Sequence, residues 1–212
     1  MGQELIDALC ELKEDDAVGM VKEALAGGAD PGQLLGDCQA GLAGVGARFE
    51  AGEYFLSELV YAGAIFKRIS DMLERAIQEK QGQDRPETKG KVVIGTISGD
   101  VHDLGKNIVV TLLKGSGFEV YDLGTDVPID DFVAKLEETD ANVLGMSALL
   151  TTSFGPMKQV VEILQSKGLR DKIKIMIGGG VVDDMSLKFI GADMQSRSAY
   201  EAVVYCNGVY GE

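Results

Sequence analysis

A chain of 212 residues, 45% of them apolar and 25% charged, is long enough to bury one large core or two modest ones, and two are expected. A formal net charge of −14 and a sequence pI near 4.5, with no basic cluster, exclude a nucleic-acid or anionic-membrane surface as the expected partner. Cys10, Cys38 and Cys206 stand far apart and in no CxxC pair, which excludes a disulfide or zinc framework and suits a reducing compartment.

The first residues, Met1-Gly2-Gln3-Glu4, show no charged region leading into an apolar stretch, and no run approaches the roughly 18 apolar residues of a membrane span. A cytoplasmic protein is expected. Residues 1–80 carry helical signals only. Leu5, Ile6, Leu9 and Leu12 share a face. Asp15 or Asp16 is placed to cap a second helix through Val18, Val21 and Leu25, which Gly27-Gly28 ends. Asp30-Pro31 has the chemistry of a helix start, and Leu34, Cys38, Leu42, Val45 and Phe49 line the helix that follows, with Ala51-Gly52 near its end. From Phe55 to Lys80, Leu56, Leu59, Gly63, Phe66, Ser70, Leu73 and Ile77 recur at spacings of three and four, the pattern of a bundle seam. Four helices with short connections predict an antiparallel bundle.

Residues 81–90 are polar, aperiodic and carry both helix breakers, so they read as a linker between domains 1–80 and 91–212. Beyond it strands alternate with helices: Val92 to Ile97, then a helix from Lys106; Glu119 to Leu123, then from Asp130; Val143 to Met146, then from Pro156; Ile173 to Ile177, then near Asp183; and a weak strand at Asp193 to Gln195 before Ala199 to Val209. Five such units predict an α/β fold with a doubly wound, five-stranded parallel sheet of flavodoxin-like order 2-1-3-4-5. Ligands of such sheets bind where neighbouring connections leave in opposite directions, here between the first and third strands.

Three unusual stretches fall on that crevice. The loop after the first strand, Gly99-Asp100-Val101-His102-Asp103-Leu104-Gly105, holds the chain's single histidine. An imidazole there can serve as metal ligand or proton carrier, with Asp100 holding its other nitrogen, or be a solvated loop residue. The loop after the third strand runs Ser147-Ala148-Leu149-Leu150-Thr151-Thr152-Ser153, whose hydroxyls suit a polar appendage or a helix cap. Gly178-Gly179-Gly180 after the fourth strand suits either close approach of a bulky ligand or a tight turn. A receiver would need an aspartate after the third strand, a dinucleotide fold a GxGxxG after the first, and a flavodoxin phosphate loop several Ser/Thr where Asp100 to Gly105 stand; none is met. A zinc site fails on ligand count. A metal already held by a large cofactor, needing one further ligand, survives.

These residues resemble the cobalamin-binding domains of corrinoid methyltransferase proteins. Asp-x-His-x-x-Gly is met by Asp100, His102 and Gly105, Ser-x-Leu by Ser147 and Leu149, and Gly-Gly by Gly178 and Gly179. The helical segment, including Arg48 to Leu56, resembles the cap module of methionine synthase and of the small corrinoid proteins for methanol and methylamines. The resemblance implies a cobalamin or related corrinoid (methylcobalamin) whose cobalt takes His102 as lower axial ligand in place of the cofactor's benzimidazole. It further implies that Asp100 bonds the far nitrogen and Ser153 extends that link. Gly105 belongs to the same loop, Ser147, Leu149, Thr151, Gly178 and Gly179 line the channel for the displaced nucleotide tail, and Phe49 and Leu56 cover the upper corrin face. Where many relatives carry Tyr and Asp near the last strand, this chain has Gln195 and Ser198.

The activity so implied is that of a methyl carrier, a non-autonomous component of a corrinoid-dependent methyltransferase system. It takes a methyl group on cob(I)alamin from a donor-specific methyltransferase and passes it to a second methyltransferase that holds an acceptor such as tetrahydrofolate or a thiol, with a reductive activase as a further partner. A corrinoid-sensing regulator and the small subunit of a cobalamin-dependent mutase are the alternatives. The first lacks a visible DNA-binding or signalling module, and the second would place a barrel, not helices, over the cofactor.

Overall fold

The computed structural model of the chain describes residues 2–79 and 88–211. Four helices come first: α1 (Gly2–Cys10), α2 (Glu14–Ala26), α3 (Pro31–Glu50) and α4 (Leu56–Glu79). At the start of α3 the Asp30 carboxylate accepts the peptide N–H groups of Gly32 (3.3 Å) and Gln33 (3.2 Å), and Pro31 occupies the first turn, so groups the helix leaves unpaired are satisfied as expected. The expected Asp15 or Asp16 cap of α2 is not formed. That helix begins two or three residues earlier behind Lys13, which places Glu14, Asp15 and Asp16 together in the first turn, where they act on the helix dipole instead of capping.

Helix α1 packs on α2 and α3, and α4 packs on α3 and α2, over the short connections 11–13, 27–30 and 51–55. The seam of α4 is built from Leu59, Ala62, Phe66, Ile69 and Leu73. Leu56, expected in that seam, is 52% exposed; Gly63 and Ser70 are half-buried, and the Ile77 side chain lies outside the described residues. Residues 81–87 of the expected linker also lie outside them.

The rest of the chain builds β1 (Lys91–Thr96), α5 (Leu104–Gly115), β2 (Glu119–Asp122), α6 (Ile129–Thr139), β3 (Val143–Ser147), α7 (Phe154–Ser166), β4 (Lys174–Gly178), α8 (Asp184–Ile190), β5 (Met194–Ser196) and α9 (Ala199–Tyr210). Helices α5, α6 and α7 start one or two residues before the expected positions, α8 starts next to Asp183 and α9 at Ala199, and a 3-10 turn over Thr151–Ser153 leads into α7. All pairings are parallel and the order is β2-β1-β3-β4-β5. Strands β1, β3 and β4 are almost wholly buried, as β-branched and apolar runs covered on both faces must be. One face packs Val93, Leu144, Met146 and Ile175 against Phe132 of α6 and Val160 of α7. At the carboxyl ends the register aligns Thr96, Ser147, Gly178 and Ser196 across four strands, so the row nearest the crevice is small and mostly polar.

The chain divides into two compact units: the four N-terminal helices with residues 114–117, and the sheet with its remaining helices. No described helix is long and apolar enough to cross a membrane.

Candidate functional site: a histidine loop at the strand ends

After β1 the chain continues its ladder for one residue, Ile97 pairing with Val127, and then turns through Gly99 at φ +84°. Asp100 comes next and is buried. Its Oδ1 accepts the peptide N–H of His102 at 3.0 Å and faces His102 Nδ1 at 2.7 Å. Its Oδ2 accepts the peptide N–H groups of Leu149 (2.6 Å) and Leu150 (3.2 Å) from the loop after β3. Burial raises the carboxyl pKa, but the Leu149 and His102 peptide donors and the imidazole outweigh it, so Asp100 is held below the ordinary carboxylate range. Carboxylate on Nδ1 fixes the ring with Nδ1 as donor and Nε2 left as a lone-pair ligand. The His102 side chain is 51% exposed, so Nε2 is open to a bound group. The loop is tied further by Thr96, whose buried hydroxyl donates to the His102 carbonyl at 3.0 Å.

The surroundings are apolar although they face solvent. Val101 and Leu104 beside the histidine are 69% and 66% exposed, and Leu149 and Leu150 are 42% and 41% exposed. Exposed apolar side chains on the loops that meet at one potential ligand make a surface suited to an apolar group. Gly105 is exposed, has an ordinary helical φ, and a Cβ added there would meet nothing within 4 Å. Nothing in the chain itself requires a glycine there, and the open space leaves room for a bound group over the start of α5. A transition metal carried in a broad apolar macrocycle fits this donor and this surface: imidazole suits cobalt, the carboxylate behind it raises its basicity, and the glycine leaves room. Among the described residues no three His, Cys, Asp or Glu side chains are grouped to hold a metal by themselves.

The glycines after β4 divide their work. Gly179 is at φ +126° and a Cβ there would lie 1.8 Å from the Ala148 carbonyl oxygen, so the meeting of the two loops demands it. Gly178 accepts the Ala148 N–H at 3.0 Å and has room on its Cα, and it is followed in register by Ser196. Ser147 is half-buried at the end of β3, and Thr151 is exposed on the 3-10 turn. Ser153 is buried, its hydroxyl has no hydrogen-bond partner among the described residues and does not cap α7, and both Asp100 oxygens already accept donors from His102, Leu149 and Leu150.

In the helical unit Phe49 is half-buried near the end of α3, and Leu56 opens α4 beside Phe55, which is 70% exposed. The turn between them is pinned: the Arg48 guanidinium donates to the Cys10 carbonyl (2.9 Å) and to Tyr54 Oη (2.8 Å), and the Tyr54 hydroxyl donates to the same carbonyl (2.8 Å). Sequence reasoning missed that clamp, the Leu149 and Leu150 amides, Thr96, and Asp126 of the loop after β2. Only Asp126 left a readable signal, the turn-forming Gly124-Thr125-Asp126-Val127-Pro128.

Comparison with known proteins supplies the family. Two models, each described as a B12 binding domain, match residues 90–204 and 1–74. A dimethylamine corrinoid protein of Methanosarcina barkeri is 40% identical over 202 residues, 95% of this chain and 93% of that one. A cobalamin-binding protein from Desulfitobacterium hafniense DCB-2 superposes with a TM-score of 0.76 at 34% identity, covering 100% of this chain and 99% of that one. The methanol:cobalamin methyltransferase complex of Methanosarcina barkeri contains a chain that superposes with a TM-score of 0.84 at 30% identity, over 99% of this chain and 79% of that one. With a lone histidine backed by a buried carboxylate at the strand ends, and with both units matched along nearly their whole length, the chain belongs to the family of B12-binding corrinoid proteins.

Proposed function

We propose that the chain is a methyl carrier of a corrinoid-dependent methyltransferase system of the methylamine or methanol type. The observation that carries this reading is the His102–Asp100 pair with its outward Nε2, set among exposed apolar side chains. A bound corrinoid would supply the nucleophilic cobalt that takes a methyl group from one partner and yields it to another.

The chain's own residues bind and orient. His102 would hold the cobalt through Nε2, and Asp100 would fix the tautomer and angle of the ring. Val101, Leu104, Leu149 and Leu150 give the macrocycle an apolar seat, and Gly105 lets it lie close. Ser147, Thr151 and the backbone of Gly178 and Gly179 accept the displaced nucleotide tail. Residues 1–80 would act as the cap, joined through 81–90 to the cobalamin-binding domain 91–212, with Phe49 and Leu56 as the apolar residues that would shield the bound group from water. The partners are a donor-specific methyltransferase, a second methyltransferase carrying the acceptor, and a reductive activase, all in the cytoplasm.

The test is reconstitution with hydroxocobalamin and then transfer to the reduced protein from candidate methyltransferases offered one methyl donor each. Wild-type protein is expected to show a histidine-ligated spectrum and His102→Ala to lose it while retaining some corrinoid. Colourless wild-type protein, or a spectrum indifferent to the substitution, sinks the reading.

A further inference from the structure

The loop that carries His102 is held from three sides. Thr96 takes the His102 carbonyl, and the Leu149 and Leu150 amides take the Asp100 carboxylate. The third hold comes from Asp126, in the loop after β2. Its Oδ1 accepts the Gly99 N–H at 2.7 Å, and its own N–H donates to the Asp100 carbonyl at 2.9 Å. These two bonds straddle the Gly99–Asp100 peptide. Asp126 sits at φ +52°, in the left-handed region that residues other than Gly, Asn and Asp rarely enter, and it faces Gly99 at φ +84°. A backbone in that region persists where its surroundings over-determine it.

We propose that Asp126 is a positioning residue for the His102 ligand, fixing the Gly99–Asp100 peptide and through it the height and angle at which the imidazole meets the metal. This rests on the corrinoid reading given above. The physical reason is a chain of references. The ring is oriented by the Asp100 carboxylate, that carboxylate is only as fixed as the Asp100 backbone, and Val101, His102 and Asp103 beyond it are exposed. The short contact to a carboxylate is of the charge-assisted kind, stronger than a neutral hydrogen bond. The hydrogen bonds of Asp126 go to the Gly99 and Asp100 backbone and not to the ring, so its influence on ligation runs through that peptide.

The experiment uses the full chain reconstituted with methylcobalamin in red light. The ratio of histidine-free to histidine-ligated cofactor is read from absorbance, and the imidazole nitrogen splitting is read by electron paramagnetic resonance of the cobalt(II) form. Asp126→Gly removes the acceptor yet suits the left-handed backbone, so it separates the hydrogen bond from strain. Asp126→Asn keeps a weaker, neutral acceptor and tolerates the same φ. The histidine-free to histidine-ligated ratio is expected to rise about threefold to tenfold in the glycine variant, with the asparagine variant between it and wild type. A wild-type ratio in the glycine variant overturns the positioning role, and so does a wild-type ratio in the asparagine variant should the glycine variant not fold. Wild-type protein that takes up no corrinoid, or whose spectrum ignores His102→Ala, overturns the functional reading and this inference with it. A normal histidine-ligated wild type with unresponsive Asp126 variants overturns the inference alone.

Discussion

At the scale of single residues, the Asp100 carboxylate is taken out of water and then given back four hydrogen-bond contacts: two on Oδ1 from His102 and two on Oδ2 from the peptides of Leu149 and Leu150. Peptide N–H groups are fixed donors that neither ionise nor rotate away, so the side of the carboxylate remote from the ring is rigid. Asp100→Ala is therefore expected to weaken histidine ligation by about 10–100-fold, the usual cost of losing a ligand's carboxylate partner, seen in the corrinoid spectrum of the reconstituted protein. Ser153→Ala should leave that spectrum unchanged. Removing a buried hydroxyl with no partner should also leave the urea midpoint equal or slightly raised, by up to about 1 kcal/mol of stability. A Ser153→Ala spectrum matching that of Asp100→Ala would show that the hydroxyl belongs to the link after all.

Elements decide what a glycine is for. Gly105 is the second residue of α5, with open space where a side chain would start, and Gly179 is wedged against the Ala148 carbonyl in a left-handed turn. Gly105→Ala is expected to raise stability by about 0.5–1 kcal/mol through helix propensity while lowering corrinoid affinity. Gly179→Ala should cost at least about 2 kcal/mol through its φ and the clash. Paired thermal melts and cofactor titrations check both, and a Gly105→Ala protein that binds as tightly as wild type removes the cofactor as the reason for that glycine. The same contrast shows what the sequence could tell. Strand order, the Asp30 cap and the convergence of three loops were legible because each depends on local pattern or on the handedness of parallel connections. The Asp15 or Asp16 cap of α2 was misread because three consecutive acidic residues give the same signal in three registers. Leu56 kept the seam's spacing but lies in the first turn, where its side chain is left exposed. The donors that Asp100 takes from Leu149 and Leu150 are backbone groups, which no sequence pattern displays, and Asp126 escaped notice because its bond to Gly99 exists only once two loops meet.

For the molecule as a whole, two buried thiols report on the two units separately. Cys38 lies in α3 of the helical unit and Cys206 in α9 of the sheet unit, both fully buried, and burial is the leading reason each thiol is pushed up to about 12. At pH 8 roughly one in ten thousand of such thiols is the reactive thiolate, rising tenfold per pH unit, so native labelling by iodoacetamide should be confined to the half-buried Cys10. In rising urea each buried thiol labels when its own core opens, and separate cores predict separate midpoints. Corrinoid bound at His102 adds its binding free energy to the sheet unit, about 2.7 kcal/mol at a hundredfold excess over Kd. The Cys206 midpoint should therefore move to higher urea by more than that of Cys38, as read by mass spectrometry of the alkylated peptides. Equal shifts at both thiols would mean that the two units unfold as one; a shift at Cys38 alone would place the main binding energy away from the His102 loop.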